Sequence, residues 1–158
     1  MRPIEVQLKK AAPGKLFFGE GELTHELLAR ELIDPQRFRN ARQVGNYFGL
    51  CPSESTSDQR RRMGSITKHG NPRLRRLMVE LAWRVSRLQP YYQGVLQWGA
   101  LLRNRKTSAA ARKKAIVALA RRLAADLWRI ATGRVQAAQL GLLSKENLPM
   151  NPRKNLCP

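Results

Sequence analysis

Apolar residues recur at helical spacing through most of this chain, and the runs are punctuated by caps and breakers. Leu23, Leu27 and Leu28 share one face of a first helix predicted over about 22–32. Asp34-Pro35 is a start signal for a second helix, an N-cap acid followed by proline at the first helical position. Phe38, Ala41, Val44 and Phe48 then form its core stripe, and Gly49 closes it. The clearest helix opens at Pro72. Leu74, Leu77, Met78, Leu81, Val85 and Leu88 make its apolar stripe, and Pro90 ends it. A fourth helix is predicted over 91–103 from Tyr91, Tyr92, Val95, Leu96, Trp98, Leu101 and Leu102, weakened by Gly94 and Gly99. Its aromatics are assigned to the core rather than to base stacking, because they fall at helical spacing. Thr107-Ser108 caps a last helix over about 109–131, with Ile116, Leu119, Ala120, Leu123, Leu127 and Ile130 inward, Trp128 at the edge and Gly133 as the stop.

Between Cys51 and Asn71 the periodicity fades. A loop of about 20 residues inside a small domain is unusual unless it has a function. Alternation over Arg61–Ile66 allows a short hairpin there. Gly19-Glu20-Gly21 fits the turn of a helix-hairpin-helix, whose amides would hold a phosphate at Gly19 and Gly21; Glu20 is a poor neighbour for an anion. The fold class expected is mainly α: a small helical domain with a helix-hairpin-helix-like N-terminal part, a long basic loop and two long amphipathic helices. Residues 1–15 are expected to be a mobile N-terminus, 16–135 the folded domain and 136–158 a flexible tail carrying Pro149, Pro152 and Pro158.

Composition sharpens this picture. The chain has 158 residues, 42% of them hydrophobic, enough for one domain with a true core. Net charge is +19 and the pI near 11.4. Residues 1–58 sum to zero, and the whole excess lies in residues 59–158. A domain this lopsided favours a polyanionic partner, nucleic acid first. The two cysteines, Cys51 and Cys157, and the two histidines, His25 and His69, are scattered, which excludes a zinc-finger spacing and a disulfide framework. A reducing cytoplasm is the default location. The sequence shows neither the apolar core of a signal peptide nor a run near the ~20 residues of a membrane span.

Charge and chemistry concentrate in residues 49–76. A Gly-Leu-x-Pro turn leads into Ser53, Ser55, Thr56 and Ser57. Arg60, Arg61 and Arg62 follow, then a Gly64–Gly70 loop holding Lys68 and His69, then a helix start with Arg73, Arg75 and Arg76. No acid falls between Asp58 and Glu80. Guanidinium forks match phosphate oxygens bidentately, and a helix N-terminus brings backbone N–H groups to the same anion. A phosphodiester backbone suits this stretch best. On the third helix Arg73, Arg76, Glu80, Arg84 and Arg87 continue the cationic stripe, with Glu80 spaced to pair Arg76 or Arg84.

These pieces, in this order, resemble the C-terminal transposase domain of the IS-one-ten insertion-sequence family, DEDD-type recombinases of which some are guided by a bridge RNA. Gly19-x-Gly21 with Thr24 and Leu27-Leu28 is similar to its opening segment, and Phe38, Arg42 and Gly49-Leu50-x-Pro52 to the next. Ile66-Thr67-Lys68-x-Gly70-Asn71-x-x-Leu74-Arg75 is similar to a third. The resemblance covers residues 13 to about 132 and aligns Ser57 with the family's serine nucleophile. It implies a phosphoserine link to DNA, arginines and Lys68 on the phosphoryl oxygens, and His69 as either base or phosphate contact. Asp58 departs from the family, which has glycine there. The ribonuclease-H-like domain with its four metal-binding acids is not in this chain, as in a truncated copy or a separately encoded half. No cofactor is therefore expected here, although the complete family enzyme implies magnesium. Implied partners are DNA at transposon ends and target, a guide RNA in some members, and further copies of the enzyme, with no membrane. The alternative function is a non-catalytic arginine-rich helical module that binds DNA or RNA.

Overall fold

A computed structural model describes residues 19–32, 34–57 and 60–144, with residues 32, 54–57 and 60–63 described by backbone alone. The architecture is mainly α, with five helices and one two-stranded hairpin among the described residues. They are α1 (Glu22–Leu32), α2 (Ala41–Tyr47), β1 (Pro52–Ser57), β2 (Arg60–Ile66), α3 (Pro72–Leu88), α4 (Gln93–Arg103) and α5 (Ala109–Ala131). Short 3-10 turns at Pro35–Arg37 and Ala137–Leu140 complete the order.

Three helices build the core. Leu74, Met78, Leu81 and Val85 of α3 pack with Val95 of α4 and with Ile116, Leu119 and Leu123 of α5. Val44, Phe48 and Leu50 close one side of it. Ser108 caps α5 by accepting from the Ala111 amide at 3.2 Å, as its hydroxyl predicts. Gly133 adopts φ +71 and stops the helix. On α4 the buried stripe is Tyr92, Val95 and Gly99, while Tyr91, Leu96 and Leu101 are exposed. The aromatics of this region therefore split, with Tyr92 buried, Trp98 half-buried and Tyr91 in solvent.

Four expectations are corrected. The second helix does not run from Pro35. Asp34 accepts from the Gln36 amide at 2.8 Å and closes one 3-10 turn. Phe38 then goes extended, which drops its ring into the core, and Asn40 caps a separate α2 by accepting from Gln43 at 3.0 Å. On α1 only Leu28 of the three leucines is buried; the inward pair is Thr24 and Leu28, one turn apart, and Leu23 is 69% exposed. Trp128 lies in the core rather than at its edge. Its indole N–H donates to the Pro35 carbonyl at 2.9 Å, which turns the polar end of the ring toward a partner. Part of the segment expected as a tail is packed: Leu140 and Leu142 are buried, and the Gln89 amide exchanges two 2.9 Å hydrogen bonds with the Leu143 backbone.

One buried charge ties α4 to α5. Asp126 is fully buried and accepts from the Tyr92 hydroxyl at 2.8 Å, from Arg122 Nε at 2.9 Å and from Arg129 at 3.1 Å. A buried carboxylate survives only when paired and hydrogen-bonded, and here both oxygens are satisfied. Burial first, and the neighbouring carboxylate second, hold the Tyr92 hydroxyl far above the usual tyrosine range.

Candidate nucleic-acid interface

The loop expected between Cys51 and Asn71 is an arm with a rigid base. β1 and β2 pair antiparallel in the register Ser57↔Arg60, Thr56↔Arg61 and Ser55↔Arg62, with an irregularity between Pro52 and Glu54. The strands pair with each other and pack extensively against no helix. Thr67 N donates to the Cys51 carbonyl at 2.9 Å and Ser53 Oγ to the Ser65 carbonyl at 3.0 Å, closing the stem where the strands leave the bundle. The expected hairpin is thus longer than Arg61–Ile66 and includes the serine run.

Below the stem, backbones approach at van der Waals limits. Gly49 ends α2 at φ +65, and a Cβ on it would sit 2.8 Å from the Gly70 amide nitrogen and 2.6 Å from Arg75 Nη1. Gly70 in turn lies directly on the Gly49 amide and the Tyr47 and Asn46 carbonyls. Only glycine fits both faces of this contact. Asn71 locks it. Its amide N–H donates to the Tyr47 carbonyl at 2.9 Å, and its side-chain nitrogen donates to Glu31 at 2.7 Å. Its side-chain oxygen accepts from the Arg73 and Leu74 amides at 3.0 and 3.4 Å, capping α3. Tyr47 donates its hydroxyl to the Glu31 carbonyl at 3.1 Å. Helices α1, α2 and α3 are thereby joined at one residue.

The same cap corrects an expectation. The helix start was to offer free N–H groups to a phosphate. Pro72 has none, Asn71 takes those of Arg73 and Leu74, and the Asn71 carbonyl takes that of Arg75 at 3.0 Å. The first turn of α3 presents side chains, not backbone, to an anion.

The structure brings some of the candidate residues together and separates others. Ser57 is the last residue of β1, opposite Arg60; Arg61 and Arg62 follow on β2. Lys68, at φ +58, and His69 are exposed on the loop at the stem. Arg73 and Arg76 are exposed on the first turns of α3. Arg75 is half-buried and donates to the Lys68 carbonyl at 3.1 Å, so part of its fork is spent on shaping the loop. Gly19, at φ +104, and Gly21 lie apart from this group, against Leu88 and Arg84 at the far end of α3. Glu20 between them is buried and bonded to His25 Nδ1 at 3.0 Å, filling the turn from inside. The helix that would precede this turn, and Asp58, lie outside the described residues.

Glu80 forms no ion pair with Arg76 or Arg84, and none of Arg73, Arg76, Arg84 and Arg87 pairs with an acid among the described residues. These four cations span about 21 Å of helix. No group of three or more His, Cys, Asp or Glu placed to hold a metal ion occurs among the described residues. No helix among them is long and apolar enough to cross a membrane. Sequence reasoning overlooked Trp83, which lies between Glu80 and Arg84 on this stripe, and the Asp126 network. A tryptophan spaced within a run of arginines was the available signal for the first; the second has none, because Asp126 reads as an ordinary surface acid.

A family model described as transposase, IS116/IS110/IS902 family, matches residues 17–97, from the Gly19 turn through the arm and α3 into α4. The chain belongs to this insertion-sequence transposase family. A Sinorhizobium fredii protein named as a transposase, y4qE, is 38% identical over 123 residues, 65% of this chain and 31% of its own length. The transposase for insertion sequence element IS1328 of Yersinia enterocolitica is 32% identical over 117 residues, 72% of this chain and 33% of its own length. The chain thus spans about a third of these transposases. No solved structure matches it closely.

Proposed function

We propose that this chain is the DNA-binding, serine-bearing domain of an insertion-sequence transposase, and that Ser57 is the nucleophile of strand cleavage. The reading rests on family membership together with one geometric observation, the pairing of Ser57 with Arg60 at the end of an arm that stands off the bundle. A two-stranded ribbon is narrow enough for the major groove of duplex DNA. In the reaction the Ser57 hydroxyl attacks a phosphodiester phosphorus. The Oγ–P bond forms as the bond from phosphorus to one deoxyribose oxygen breaks. The serine proton leaves to a base and the departing sugar oxygen takes one up. The phosphoserine keeps the energy of the cleaved bond, so a second strand can be joined by the reverse step. Arg60, Arg61, Arg62 and Lys68 stabilise charge on the phosphoryl oxygens, and Arg73 and Arg76 hold flanking phosphates. DNA is the partner of this site.

The test is capture of a covalent protein–DNA adduct on denaturing gels with end-labelled insertion-sequence termini, using the chain within its complete transposase. Ser57→Ala should abolish the adduct while DNA binding persists. An adduct that survives Ser57→Ala would assign the nucleophile elsewhere. A second reading, a non-catalytic arginine-rich DNA- or RNA-binding module, rests on the α3 arginines that pair with no acid among the described residues. It predicts binding without an adduct in either protein.

A further inference from the structure

The cationic stripe of α3 runs past the arm and ends in a cleft that phosphate binding alone does not use. Glu80, Trp83, Arg84 and Arg87 line an open hollow of about 390 Å³. Their spacing, three, four and seven residues from Glu80, sets all four on one face of the helix. Trp83 is half-buried and packs against the core, which fixes the indole instead of leaving it free to rotate. Arg84 and Arg87 are exposed and, among the described residues, bond no acid. Glu80 is exposed and takes up neither of the arginines one turn away. A hollow of this size is within the range of small-ligand clefts, roughly 300–1,000 Å³.

An anchored indole, two uncommitted guanidinium groups and an uncommitted carboxylate are the complement of a nucleotide. We propose that this cleft takes one unpaired nucleotide of a DNA strand: the base stacks on Trp83, Arg84 and Arg87 hold its phosphates, and Glu80 accepts a hydrogen bond from an amino group on the base. Aromatic stacking tolerates any base, since every base has a π face. Guanidinium forks suit phosphate oxygens. A carboxylate accepts from the cytosine N4 amino group and has no donor for the thymine O4 carbonyl, so cytosine is favoured over thymine. A stripe serving only duplex phosphates would have no use for the part of Trp83 that the core leaves uncovered. The inference rests on the nucleic-acid reading above and adds to it a second contact, about a helix length from the arm.

The experiment measures affinity by fluorescence anisotropy for two probes at equal salt, a short oligodeoxycytidine and a short duplex, using the whole chain. Trp83→Leu should weaken oligodeoxycytidine binding roughly 5- to 100-fold and leave duplex binding unchanged. The double variant Arg84→Gln/Arg87→Gln, at two exposed positions, should also weaken the unpaired probe and covers the case in which Trp83→Leu fails to fold. Oligodeoxythymidine should bind less tightly than oligodeoxycytidine, and Glu80→Ala should erase that difference. Wild-type affinity for oligodeoxycytidine in the double variant, or in a folded Trp83→Leu, overturns the cleft. Wild-type chain that binds duplex but not the unpaired probe also overturns it and leaves the arm untouched. Chain that binds neither probe overturns both readings.

Discussion

Asn71 holds more of the structure than any other single side chain near the arm. It caps α3, bonds Glu31 of α1 and takes the last turn of α2 through its backbone. Asn71→Ala removes the cap and strands the Glu31 carboxylate, and should lower stability by about 1–2 kcal/mol in a denaturant titration. Gly70→Ala forces a methyl into the Gly49 and Tyr47 backbone and should lower it by about 1–3 kcal/mol, with the arm displaced. In the core, Asp126→Ala leaves the buried Tyr92 hydroxyl without its acceptor and should cost about 1–3 kcal/mol. Tyr92 gives the protein a pH limit. Its folded-state proton is held above the unfolded value of ~10, so stability is whole below that pH. Above it the unfolded chain gives up the proton first, and stability falls. Denaturation midpoints followed from pH 9 to 11 should drop in the wild type, and Tyr92→Phe should flatten the drop. A wild-type midpoint constant across that interval would mean that burial and Asp126 do not hold the Tyr92 proton above its unfolded value. None of this was legible beforehand for Asp126. The motif around Asn71 was visible as a string, but its reason, three helices meeting at one amide, needed the fold.

At the scale of elements, periodicity read α3 and α5 almost to the residue because their stripes are long and their caps, Asn71-Pro72 and Ser108, are local. It misread the start of α2 because Asp34-Pro35 satisfies the first turn of any helix, and only the burial of Phe38 decides that the turn does not continue. It likewise took Leu23 and Leu27 for a core face when α1 has only one flank against α3. The arm is half legible. Alternation in β2 suggests a strand, but the hydroxyl run of β1 carries no apolar signal, and pairing comes from the register with Arg60–Arg62. Such a ribbon, closed at its stem by the Thr67–Cys51 and Ser53–Ser65 bonds, should be separable from the bundle in function. Replacing Arg60, Arg61 and Arg62 by glutamine should leave the thermal midpoint in place and lower DNA affinity; a large drop in midpoint would mean the arm is a structural element.

At the scale of the molecule, all of the net charge of +19 belongs to residues 59–158, and the described cations on α3 are not spent on internal ion pairs. Charge that is unspent inside the fold is available to a polyanion, and DNA, the proposed partner, is one. Binding of that kind releases counterions, so its strength must follow salt. The decisive measurement is therefore the slope of log affinity for duplex DNA against log salt concentration, for the wild type and for the Arg60→Gln/Arg61→Gln/Arg62→Gln variant. The wild type should fall steeply, by about 0.9 per phosphate neutralised, and the variant should be shallower by up to about 3. A flat wild-type line, or a variant line parallel to the wild type, would contradict the assignment of the arm to the phosphate backbone.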